Sequence, residues 1–159
     1  MVSMIVIVDR GNGIAYKGNQ LIFIEDDLRH FKEITINKNI VMGRKTYESL
    51  PFGALPNRTN IVLTKNLDYK CDNCLVYHSK DDIFKDFKDI VVIGGAQIYK
   101  EFLPHTDTIY MTLVHKYFEK VDTYFPKISE CKFEEIKNSG LLHDKEQDIY
   151  YRFITLKRK

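Results

Sequence analysis

The feature that most constrains this chain is an alternation: short apolar runs separated by stretches with helical periodicity. Val2–Val8, Asn39–Met42, Asn60–Leu63, Leu75–Tyr77, Ile90–Ile93 and Thr108–Val114 read as strands. Between them, Ile24–Ile34, Gly43–Leu50, Asp81–Phe87 and Ala96–Leu103 read as helices, the last ended by Pro104. Parallel strands need crossovers, and helices supply them. The pattern predicts an α/β fold: a central, mostly parallel twisted sheet of about eight strands with about four flanking helices. Phe133–Lys137 and Ile149–Leu156 read as a C-terminal antiparallel hairpin at the sheet edge. With 159 residues and no repeat or linker, one domain over 1–159 is expected.

Charge and cysteine content narrow the function. Lys plus Arg number 24 against 22 Asp plus Glu, too small an excess for a nucleic-acid binder. Lys157-Arg158-Lys159 is then a solvated tail. Met4–Val8 is too short for a signal-peptide core or membrane span, so a cytoplasmic location is expected. Cys71-Asp72-Asn73-Cys74 has the CxxC form, but Cys131 stands alone and His78 lacks a well-spaced partner. No metal is expected, and the cysteines read as ordinary loop residues rather than a redox or zinc site.

Asp27 is a carboxylate where an apolar residue belongs. In the stretch from Ile24 to Ile34, positions 24, 28, 31 and 34 are apolar, and helical spacing puts Asp27 on their face. A carboxylate pressed against apolar groups must find a hydrogen-bond partner or titrate higher. Glu25 and Asp26 are explained as first-turn acids favoured by the helix dipole, and Asp27 could be a third.

Two strand-to-helix junctions suit a phosphate. At Val41-Met42-Gly43-Arg44-Lys45-Thr46 a helix starts on two cations and a hydroxyl. At Val92-Ile93-Gly94-Gly95-Ala96-Gln97-Ile98-Tyr99 paired glycines precede the next helix. Helix N-termini at the carboxyl ends of parallel strands favour anions. Neither is a dinucleotide fingerprint or a P-loop; a tight turn and a solvated helix start account for them equally well taken singly.

Six motifs in order make the chain resemble the dihydrofolate reductases over nearly its whole length. They begin with Ser3-Met4-Ile5-Val6-Ile7-Val8-Asp9 and Asp26-Asp27-Leu28-Arg29-His30-Phe31-Lys32, followed by the Gly43 junction extended to Ser49. Pro56-Asn57-Arg58-Thr59-Asn60-Ile61-Val62-Leu63-Thr64, the Gly94 junction and Asp122-Thr123-Tyr124-Phe125-Pro126 complete the set.

The resemblance implies a bacterial-type, monomeric enzyme of one-carbon and thymidylate metabolism, and an antifolate target. Its reaction would be hydride transfer from NADPH to C6 of dihydrofolate, with protonation of N5. Asp27 would pair with the pterin ring NH and 2-amino group, a water carrying the proton to N5. The carbonyls of Ile5 and Ile93 would receive further amino protons, Thr112 would support Asp27 from behind, and Tyr99 would adjoin the substrate. Phe31, Leu50 and Leu55 would wall the aminobenzoyl group; Leu28 would adjoin the substrate and, with Phe31 and the first strand, raise the pKa of Asp27. Arg58 would clamp the glutamate α-carboxylate.

On the cofactor side, Arg44, Lys45, Thr64 and Lys65 match positions near the adenosine 2′-phosphate, with Gly43, Thr46 and Leu63 adjoining them. The segment Ile93, Gly94, Gly95, Ala96, Gln97, Ile98 and Tyr99 would cover the pyrophosphate and nicotinamide, and the family often has a cis bond at the glycine pair. Ile7 would sit beside the nicotinamide, and a loop carrying Ile14 and Ala15 would close over it. Asp122 would help hold that loop, tuning turnover rather than chemistry.

The chain departs from the family pattern before the acid. Leu21-Ile22-Phe23-Ile24 replaces the usual Leu-Pro-Trp, there is no Trp anywhere, and Ala15 stands for the usual Gly. Phe23 lacks the indole N–H that would bind a water near the acid, so loop closure and antifolate binding are expected to differ. Two rival readings are an NADPH-dependent pyrimidine reductase of riboflavin synthesis, with the same fold, and a non-catalytic nucleotide-binding module. Neither needs both Asp27 and Arg58.

Overall fold

A computed structural model describes all residues, 1–159. Twelve strands and four α-helices follow one another as β1 (Val2–Val8), β2 (Gly13–Tyr16), β3 (Asn19–Gln20), α1 (Glu25–Thr35), β4 (Asn39–Gly43) and α2 (Arg44–Ser49). Next come β5 (Thr59–Leu63), β6 (Leu75–Tyr77), α3 (Lys80–Asp86), β7 (Ile90–Gly94) and α4 (Ala96–Phe102). The chain ends with β8 (Thr108–Val114), β9 (Thr123–Tyr124), β10 (Phe133–Asn138), β11 (Leu142–Asp144) and β12 (Ile149–Arg158). The main sheet runs β10-β12-β8-β1-β7-β4-β5-β6, with β11 on β12; its stretch from β8 to β6 is parallel throughout. The α/β expectation holds, and the expected helices lie within a residue or so of their read bounds.

Alternation along each strand explains why both faces are covered. Met4, Val6, Val8, Val41, Ile61 and Val92 fill the core on one face, with Ile83 of α3 and Phe102 of α4. Their neighbours Ile5, Ile40, Met42, Val62 and Val91 fill the other, under Phe31 and Ile34 of α1 and Tyr47 of α2. Successive side chains point to opposite faces, so a strand buried on both must be apolar at every position. This is what the continuous runs encode.

Three differences from the sequence reading are local. The C-terminal strands β10 and β12 pair antiparallel at the sheet edge as read, but the short β11 intervenes between them and also pairs with β12. The segment after β1 is not only loop, because β2 joins β3 and β9 in a small separate sheet. Cys71 and Cys74, read as ordinary loop cysteines, bring their sulfurs together with Cα atoms 5.8 Å apart, and Cys131 is exposed.

Candidate active site

Helix α1 and strand β8 build the centre of the site. Asp27 lies in the first turn of α1 and is 8% exposed, so it faces inward as its spacing predicts. Thr112, in β8 and fully enclosed, donates its hydroxyl to Asp27 Oδ1 at 2.5 Å. Burial raises the Asp27 pKa to about 6, the Thr112 hydrogen bond offsetting part of that rise. The carboxylate is thus short of donors, so a ligand bringing N–H groups would find an acceptor.

Strand β1 supplies the next wall. The Ile5 carbonyl accepts the Tyr99 hydroxyl at 2.7 Å, so it retains one lone pair for a ligand. Tyr99 is buried, and burial followed by the nearby Asp27 charge raises its pKa, keeping it a neutral donor. Ile7 and Ile93 are half-buried at the same carboxyl end of the sheet. Leu28 does not join the core with Phe31: it is 50% exposed. Phe31, Leu50 and Leu55 are half-buried on the Ile40–Val62 cluster.

Arg58 is held for display. Its Nε donates to the Pro56 carbonyl at 3.0 Å and its Nη1 to Thr35 Oγ1 at 3.0 Å. No acidic side chain pairs with it, and partial burial lowers its pKa. Thr35, wholly buried in the last turn of α1, is a support that sequence reasoning missed; it looks like any terminal helix residue.

The two glycine junctions meet. Met42 pairs with Gly94 across β4 and β7, and the Gly94-Gly95 peptide is cis. A Cβ on Gly95 would stand 3.4 Å from Thr46 Oγ1, and one on Gly43 only 3.1 Å from Ile98 Cγ1. A side chain at Gly43 would crowd Ile98 where α2 begins, and Gly94 takes φ +134°, a conformation that favours glycine, just before α4, which Ala96 and exposed Gln97 open. At the neighbouring strand end Leu63 is buried, Thr64 half-buried and Lys65 exposed. Lys45 is exposed, but Arg44 Nη1 is tied to Glu48 Oε1 at 2.9 Å. His78 Nδ1 lies 2.8 Å from the Thr64 carbonyl, a second support that had been weighed only as a metal ligand.

The segment between β1 and α1 is pinned from two sides. Asp122 accepts the Lys17 N–H at 2.9 Å and the Thr123 hydroxyl at 2.7 Å, while its own N–H donates to the Ala15 carbonyl at 3.1 Å. The Lys17 N–H, then the Thr123 hydroxyl, lower its pKa. Ile14 packs on the main core. Asp9 was missed as an anchor: buried, it accepts N–H groups from Gly11, Gly13 and Phe118 at 2.9, 2.7 and 3.1 Å. Phe23, expected beside the acid, is instead 59% exposed, and Ile24 is the residue buried there.

A buried acid at the carboxyl end of a parallel sheet, beside two glycine-lined strand ends, defines an α/β enzyme that handles an anionic ligand. A sequence model described as dihydrofolate reductase matches residues 1–158. Dihydrofolate reductase of Bacillus subtilis is 37% identical over 163 aligned residues, covering 100% of this chain and 95% of that one. That of Haemophilus influenzae is 32% identical over 168, covering both in full. A solved Enterococcus faecalis dihydrofolate reductase, complexed with NADP(H) and RAB-propyl, has TM-score 0.92 and 34% identity over 100% of this chain and 96% of that one. The chain belongs to the dihydrofolate reductase family. Its activity is the family's, reduction of dihydrofolate with NADPH, and the pyrimidine reductase alternative is not favoured.

Proposed function

We propose that Asp27 is the acid that orients dihydrofolate and raises the basicity of its pterin ring, with the other site residues acting as follows. The carrying observation is the buried carboxylate with a single hydroxyl donor. Paired N–H donors on a pterin edge match its unfilled lone pairs. Its protonated form, accessible near neutrality, supplies a proton through a water to N5, which lies beyond direct reach. The Ile5 and Ile93 carbonyls take the remaining amino protons, and Arg58 takes the α-carboxylate in bidentate fashion. Leu28, Phe31, Leu50 and Leu55 exclude water from the aryl group.

The cofactor end fits a dinucleotide phosphate by its chemistry. NADPH when bound supplies the reducing equivalent. Glycine backbone at 43, 94 and 95 gives close approach to a pyrophosphate. Lys45 and Lys65 stand free for a 2′-phosphate, the Thr64 hydroxyl, which accepts the Asn66 N–H at 3.2 Å, keeps its own proton to donate, and Arg44 joins them by exchanging Glu48 for the phosphate, a stronger anion. Asp122 holds the loop bearing Ile14 and Ala15 closed.

We place the enzyme in the cytoplasm as a monomer acting on small molecules. No helix is long and apolar enough to cross a membrane. At the sheet edges, β6 is only three residues long and β10 exposes Glu134, Glu135 and Lys137, features that discourage strand pairing between copies. The test is loss of the near-ultraviolet absorbance of NADPH on adding dihydrofolate to the purified chain. Turnover supports the assignment; binding of NADPH without turnover would leave only a nucleotide-binding module.

A further inference from the structure

Helix α1, which carries Asp27, starts without a side-chain cap, since its N-cap residue is Ile24. A helix start normally recruits Ser, Thr, Asp or Asn to satisfy its first N–H groups and fix its entry. Here the fixing groups come from the far end of the chain. Tyr151 of β12, itself 2% exposed, donates its hydroxyl to Asp26 Oδ2 at 3.0 Å. Gln147, in the β11–β12 turn, donates through Nε2 to the Phe23 carbonyl and to Asp144 Oδ2, both at 2.7 Å. Ile24 lies between these ties, 1% exposed and packed with Val114, Ile149 and Tyr151. Phe23, Ile24 and Asp26, three of the four residues before Asp27, are therefore each held by the hairpin.

We propose that the β11–β12 hairpin is the positioning device for the acid, with Tyr151 acting through Asp26 and Gln147 through the Phe23 carbonyl. The inference rests on the reading of Asp27 given above. Strand β12 pairs with β8 in a register that sets Tyr151 opposite Val114 and Phe153 opposite Thr112. One strand thus references both partners of the Asp27–Thr112 hydrogen bond. His30 of α1 stacks on Phe153 at 4.4 Å between ring centroids, one turn further along the same helix. The charged and titratable groups around this corner are Arg29, 3.2 Å from Asp26 Oδ1, with Asp144 beside Tyr151 and Tyr99 across the site from Asp27. Freeing the Asp26 contact lets the first turn of α1 shift against β8, and a displacement of that size is costly to a reacting geometry.

The experiment compares Tyr151→Phe, Asp26→Ala and their double variant with the unsubstituted enzyme. The readouts are turnover against pH, KM for dihydrofolate, NADPH affinity, and the titration of the Asp27 carboxyl followed by carbon NMR. Each single variant is expected to lower turnover about three- to thirtyfold and to move the Asp27 midpoint, with NADPH affinity unchanged within about twofold. Because both act through one contact, the double variant should be no worse than either single. Asp26→Asn, which keeps an acceptor for the Tyr151 hydroxyl, should restore most of the loss. An Asp27 titration and pH profile in Tyr151→Phe that superimpose on the unsubstituted enzyme would overturn the proposal, whatever the change in melting temperature; so would additive effects. If Tyr151→Phe does not fold, Asp26→Ala at an exposed side chain decides the same question. Should the unsubstituted chain fail to oxidise NADPH with dihydrofolate, the functional reading falls, while the Asp27 titration still judges the positioning claim.

Discussion

Asp9 and Asp27 are both buried carboxylates, and the difference between them is the number of donors each receives. Three backbone N–H groups hold Asp9, leaving it a structural anchor; one hydroxyl holds Asp27. The shortfall has an energetic sign. An acid whose folded pKa is raised, here from 3.8 to about 6, adds stability below the unfolded value and loses it as pH rises through about 6. At about 1.4 kcal/mol for each unit of pKa, the ionised form costs about 3 kcal/mol. Asp27→Asn should therefore be more stable than the unsubstituted chain near pH 8, and the gap should narrow toward roughly pH 4.5. Urea unfolding at the two pH values measures it; an equal gap at both would remove the assigned cause. For Arg58, Arg58→Lys keeps the charge but not the fork. It should raise the dihydrofolate KM about ten- to hundredfold with NADPH affinity intact, readable from steady-state kinetics. Asp27 was legible in the sequence because a carboxylate interrupts an apolar face. Asp9 and Thr35 were not, because a turn acid and a last-turn threonine carry no mark of what they will touch. Leu28 shares the periodic face yet is half exposed, because periodicity marks a face but not how much of it a neighbour covers.

At the scale of elements, the loop from β1 to α1 is defined by contacts distant in sequence. Gly13 is one such point: a Cβ there would lie 2.7 Å from Val121 Cγ1 and 2.9 Å from Asp9 Oδ1. Asp9 Oδ1 is held by the Gly11 and Gly13 N–H groups, so Gly13→Ala should destabilise by about 1–3 kcal/mol. A fall in melting temperature larger than that of Gly18→Ala would check it, except that Gly18 has φ +79° and carries its own backbone cost; denaturant midpoints referred to Gly11→Ala, whose neighbours stand at 3.6 Å or more, give the cleaner comparison. Asp122→Ala should release the Lys17 N–H and the Thr123 hydroxyl, slowing turnover while leaving the Asp27 titration in place. An unchanged rate would detach Asp122 from loop control. The long strands and helices were legible because each buries a face with a fixed period. Strands β2, β3, β9 and β11, of two to four residues, are too short to show any period, and their pairing is set by tertiary contact alone.

For the whole molecule, the sheet order puts β1 between β7 and β8, so the acid from α1, the Ile5 carbonyl and the glycine pair at the end of β7 converge at one carboxyl edge. That convergence could be expected from parallel α/β topology. The hairpin that steadies α1 could not, since Tyr151 and Asp26 lie 125 residues apart in the chain. A single sedimentation boundary of the size given by 18.7 kDa is expected in solution; a dimer would contradict the monomeric assignment. This fold places one buried acid to drive reduction of dihydrofolate. Turnover of NADPH with dihydrofolate, measured across pH for the unsubstituted enzyme and for Asp27→Asn, tests it most directly. The rate should fall as pH rises above about 6 and drop about 10²- to 10⁴-fold on substitution, with the fold retained. Near-normal turnover by folded Asp27→Asn at neutral pH would contradict it.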